Sequence, residues 1–84
     1  MNVQVEVLLS HPPTKIDKEE MRYCARKISD DGRRVRVCPH ETKESVLVAE
    51  FTVAMSRQGD VADRILHVFS DYMRNFEDVT IRFP

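Results

Sequence analysis

The sequence predicts a two-layer α+β fold, with two helices lying on one face of a four-stranded antiparallel sheet. Three observations predict it. Apolar residues alternate with polar ones in four stretches: Val3, Val5, Val7 and Leu9; Val35 and Val37; Leu47, Ala49, Phe51, Val53 and Met55; Val79, Ile81 and Phe83. They recur at helical spacing in two others: Met21, Cys24, Ala25 and Ile28, then Val61, Ile65, Phe69, Tyr72, Met73 and Phe76. The period switches in the order strand, helix, strand, strand, helix, strand, which is a split βαβ repeat.

Each element has local support. The first strand is expected at residues 2–9 and is closed by His11-Pro12-Pro13, because proline cannot continue a ladder. The first helix is expected at 17–30. Asp17 is placed as its N-cap, Glu20 completes a capping box, and Ile16 and Met21 are spaced as a hydrophobic staple. Asp30-Asp31-Gly32 should stop it, with Gly32 free to turn left-handed. The second strand is expected at 33–38, followed by a polar hairpin loop holding Pro39 and His40, and the third at 45–55. Gly59-Asp60 should start the second helix, at 60–76, and the last strand should run 78–83. The pattern is that of a ferredoxin-like plait with strand order 4-1-3-2. Phe51 and Phe69 are expected among its most buried side chains.

Composition bounds what such a chain can do. It has 84 residues, 42% apolar and 32% charged, with a formal net charge of -1. That length makes one domain with a thin core, burying about 60–65% of the unfolded-chain surface. The balanced charge gives no general pull toward nucleic acid or anionic lipid. No apolar run approaches the roughly 18–20 residues of a membrane span, so no membrane partner is expected. Met1 to Ser10 alternates polar and apolar without a basic start, which argues against a signal peptide. Two cysteines without a framework spacing suit reduced thiols and a cytoplasmic setting.

The alternation also lists the sheet face that the helices leave open: Gln4, Glu6 and Leu8; Arg34, Arg36 and Cys38; Val46, Val48, Glu50 and Thr52; Thr80 and Arg82. Leu8, Val46 and Val48 are apolar at one end of it and predict an exposed patch. Arg36, Glu50, Glu6 and Arg82 are placed in order on neighbouring strands, where opposite charges pair. These residues predict an interaction surface for a protein partner or a second copy of the chain, through the open face or an edge strand.

Other chemistries have weaker support. Arg26, Lys27, Arg33, Arg34 and Arg36 form a basic cluster able to meet phosphate. Nucleic-acid-binding sheets stack bases on outward aromatics, however, and none stands at these outward positions. His11, Cys38 and His40 fall at one end of the sheet and are candidate metal ligands. They lack a paired-cysteine spacing, and no metal or other cofactor is expected. Ser10-His11 lacks a third orienting group for nucleophilic catalysis. His67 and Asp71 are an ordinary exposed helical pair. With two glycines the chain has no glycine-rich phosphate loop. The expected role is therefore non-enzymatic binding, with a small-molecule-binding regulatory module or a nucleic-acid-binding accessory domain as the alternative.

Overall fold

The computed structural model describes residues 1–54 and 57–84. The elements run β1 (Asn2–Leu9), α1 (Lys15–Ile28), a short 3-10 turn (Gly32–Arg34), β2 (Arg36–Pro39), β3 (Val46–Thr52), α2 (Gln58–Tyr72) and β4 (Phe76–Arg82). All neighbouring strands are antiparallel, in the order β2-β3-β1-β4, which is the expected order read from the other edge. The far end of the third predicted strand, at Met55, lies outside the described residues.

One core joins the layers. Val3, Val5, Val7, Leu9, Leu47, Ala49 and Phe51 point up from the sheet. Met21, Cys24, Ala25, Ile28, Val61, Ile65, Phe69 and Met73 point down from the helices. Phe69 is fully buried and Phe51 nearly so, as the alternation predicts. α1 packs over β2 and β3, and α2 over β4.

Local boundaries moved where tertiary contacts outbid local signals. Thr14, not Asp17, is the N-cap of α1. Asp17 is the third residue of the helix, where its carboxylate accepts from the Thr14 backbone N–H and the Asp17 N–H donates to Thr14 Oγ1. The capping box exists one turn earlier than expected, and Ile16 is left exposed rather than stapled to Met21. α1 ends at Ile28, since the Asp30 N–H is drawn to the Thr52 carbonyl at 3.0 Å. No described residue has a positive φ, so Gly32 does not form the left-handed stop. It opens the 3-10 turn instead, and Asp31 Oδ1 caps that turn by accepting from Arg33 N–H at 3.0 Å. That turn consumes the residues expected to begin the second strand, so β2 shrinks to four residues and takes in Pro39.

The second helix differs at both ends. It starts two residues early, with an Arg57–Asp60 ion pair at 3.1 Å across its first turn. It stops at Tyr72 because Asn75 is claimed by other parts of the chain. The Asn75 carbonyl accepts from Ser10 N–H at 3.0 Å, and its side-chain amide donates to Asp17 Oδ1 at 3.0 Å. Phe76, placed on the helix by period alone, therefore begins β4. Tyr72 is not a core residue: it is exposed and packs edge-on against Tyr23 of α1, ring centroids 5.4 Å apart.

Candidate functional site

The exposed apolar patch predicted at one end of the open face is mostly covered. Val46 and Val48 are only 7% and 6% exposed, and Leu8 alone, at 41%, reaches solvent. The β2–β3 hairpin loop explains this. It folds back over the open face and plants His40 beside Glu6, with Nε2 at 3.3 Å from Oε1. The loop is self-braced, because His40 Nδ1 accepts from the backbone N–H groups of Thr42 and Lys43, each at 3.1 Å. An Nδ1 that accepts leaves the proton on Nε2, where it faces the Glu6 carboxylate. Alternation describes a strand face, but it carries no information about a loop that returns to cover it.

The charged row also rearranges. Across the sheet Arg36 stands opposite Glu50, Glu50 opposite Gln4, and Gln4 opposite Arg82. Glu6 is one row away, opposite Val48 and Thr80, and Arg82 reaches it diagonally at 3.4 Å. Such diagonal neighbours are within reach of long side chains. The basic cluster is divided. Lys27 sits over the Tyr23 and Tyr72 rings on the helix layer, at 5.2 and 5.0 Å. Arg34 faces Asp31 at 3.6 Å. Arg34 and Arg36 also border a shallow groove with Asn2, Gln4, Glu50 and Pro84 at the far end of the open face.

Of the candidate metal ligands, His11 is set apart from Cys38 and His40, which border one pocket on the open face with Glu6. His11 lies with α1, its Nε2 at 3.2 Å from Asp17 Oδ2 but without hydrogen-bond geometry. His40 lies on the opposite, open face with Glu6, and Cys38 is exposed on β2. Among the described residues no three His, Cys, Asp or Glu side chains are grouped to hold a metal ion. His67 turns back along its helix to the Asp63 carbonyl, at 2.7 Å from Nδ1, rather than forward to Asp71. Burial, and next the charge of Glu20, push the Cys24 thiol up to about 11, so at neutral pH it stays a thiol packed in the core.

Among the described residues, Asp17 is the one fully buried charged group. Burial works against its charge. Donors from Asn75, from the Thr14 backbone and from the Thr14 hydroxyl, with His11 beside them, outweigh that and hold the carboxyl below its ordinary 3.8. Its neighbours are structural: it fastens the start of α1 to the start of β4. The spacing Thr14-x-x-Asp17 was available in the sequence as a sign of this. Its tie to Asn75, 58 residues away, was not.

Along an antiparallel strand the N–H and C=O of successive residues point to alternate sides. Leu9 N–H goes to the β3 side, to the Ser45 carbonyl, and Ser10 N–H to the β4 side, to Asn75. The even residues of β1 therefore bond β4, and they pair with Arg82, Thr80 and Asp78. Val79 and Ile81 are left pointing outward. Consistent with this, the Val79 N–H donates to the side chain of Asp78, Oδ1 at 2.8 Å, and not to β1. The sequence pointed to an edge strand without saying which one, because alternation sorts residues by face and not by backbone direction. No protein-family model, curated protein or solved structure matches the chain. No described helix is long and apolar enough to cross a membrane.

Proposed function

We propose that this protein is a non-enzymatic binding domain that joins a protein partner through the free edge of β4. The observation that carries the reading is the outward backbone of Val79 and Ile81, whose N–H and C=O groups lie at a sheet margin with no further strand beside it among the described residues. Unpaired strand edges are templates for strand addition, in which main-chain hydrogen bonds supply affinity. The side chains support it: Val79, Ile81 and Phe83 face the helix layer yet are only half-buried, so an added strand would complete their cover. Their counterparts on the central strands, Val5 and Val7, are fully buried. A cytoplasmic setting belongs to the same proposal, supported by two cysteines that are both unpaired.

Ile81→Pro tests it. Proline at an outward edge position removes the donor without disturbing the ladder to β1. The variant should keep the far-UV circular dichroism of the parent while losing association, read as mass in solution and as capture of proteins by the immobilised chain. A folded Ile81→Pro chain that associates and captures as the parent does rules out the β4 edge.

A further inference from the structure

Resting on the reading of β4 as the binding edge, we propose that its occupant is a second copy of this chain, added antiparallel about a two-fold axis at Thr80. Four features lead to this register. The first is backbone parity. In antiparallel pairing about Thr80, Val79 meets Ile81 of the other copy, and Ile81 meets its Val79. These are the residues whose N–H and C=O point outward, so both form hydrogen-bonded pairs. Thr80 then faces its own copy in a non-hydrogen-bonded pair, where side chains approach most closely.

The second is charge. About Thr80, Asp78 of each copy stands opposite Arg82 of the other, on the open face, so one self-complementary strand makes two opposite-charge pairs. Shifting the axis to Val79 sets Asp78 against Thr80 and Arg82 against Phe76. Shifting it to Ile81 sets Asp78 against Pro84 and Arg82 against Thr80. Only the Thr80 register of these three matches the charges.

The third is position. The regular ladder of β4 with β1 spans Asp78 to Arg82, and the register slips beyond Asp78, where Leu9 pairs with Phe76. Thr80 is the midpoint of the regular part, so the new pairing uses that part alone. Pro84 would stand opposite Phe76, at a position whose N–H is not needed.

The fourth is the helix layer. Tyr72 meets Tyr23, and Cys24 Sγ donates to the Val68 carbonyl, so that flank of α2 faces α1. At 100° per residue Leu66 falls on the opposite flank, over the β4 margin, where it is 45% exposed. In the two-fold pair Leu66 meets the other copy's α2, above the half-buried Val79 and Ile81. The Asp78 carboxylate now caps the Val79 N–H. On pairing, the Ile81 carbonyl of the other copy takes that donor and frees Asp78 for Arg82.

Light scattering behind a sizing column, from about 10 μM to about 1 mM, tests the proposal. The parent should move toward the mass of two chains. Arg82→Glu and Asp78→Arg each turn two attractive pairs into repulsive ones and should weaken self-association about tenfold or more. An equimolar mixture of these two variants should recover the parent's association, because each then meets an opposite charge on the other; a folding defect in one chain has no such remedy. A parent that keeps the mass of one chain at about 1 mM, or a mixture that stays as weak as its components, overturns the two-fold pair. A monomeric parent whose protein capture is lost in Ile81→Pro overturns the second copy and leaves the β4 edge standing. Unchanged mass and unchanged capture in Ile81→Pro overturn both.

Discussion

β2 and β4 both lie at a margin of the sheet, and they present different margins to a neighbour. The even residues of β2 bond β3, as Arg36 and Cys38 pair with Glu50 and Val48 and the His40 N–H continues to the Val46 carbonyl. Its outward residues are therefore Val37 and Pro39, and proline has no N–H to give. β2 is also four residues long, with Arg33 and Arg34 exposed just before it. Short length, proline and charge are the usual ways a sheet margin is blunted. β4 is seven residues long, has two consecutive outward positions at Val79 and Ile81, and among the described residues has only the Asp78 side chain across one of them. One margin is closed by backbone chemistry and the other by a movable carboxylate. A binding edge and a protected edge are thus told apart by which residues face outward and not by strand composition.

Both margins hang on one core, and truncating that core tests the link. Phe69→Ala should cost about 3–5 kcal/mol in urea unfolding. The loss should appear as one transition, with β2 and β4 unfolding together. If β4 melts while β2 persists, or the loss is under about 1 kcal/mol, the margins are not carried by a shared core.

Asp17→Ala should come next, at about 1–3 kcal/mol, because it leaves the part-buried Asn75 and Thr14 donors without their acceptor. Asn75 leads into β4, so hydrogen exchange should speed up at Ser10 and the β4 amides more than at β2. The pH dependence has a definite sign. A carboxyl held below 3.8 in the native state contributes stability that is complete above that value. The contribution fades as pH falls through the lower native value. The gap between parent and Asp17→Ala should therefore narrow on acidification below about pH 4. A gap that widens there contradicts the assignment.

His40→Ala acts at the other margin. It removes the brace of the hairpin loop and the contact to Glu6 and should cost about 0.5–1.5 kcal/mol. Exchange at Cys38 and His40 should rise while Thr80 and Arg82 keep their protection. Equal acceleration at both margins would blur the comparison. The smallest effect is expected at Arg36→Glu, within about 0.5 kcal/mol and with no change of mass in solution. Arg82→Glu is the matched change on β4. If Arg36→Glu alters association as much as Arg82→Glu does, the closed margin is not closed.

Element order, helix-facing residues and layer arrangement follow from hydrophobic period alone, because period reports which side of a strand or helix is buried. Val3, Val5, Val7, Leu9, Phe51, Ile65 and Phe69 all lie where that period puts them. The remaining features depend on contacts between distant segments. The end of α2 was set by Asn75, held by Ser10 and Asp17, and the end of α1 by the reach of Asp30 to Thr52. Val46 and Val48 were covered by a loop whose return path depends on His40 meeting Glu6. The outward direction of Val79 and Ile81 followed from the pairing of β4 with β1. Period describes side chains along one segment; caps, covering loops and free backbone edges arise where segments distant in the chain meet.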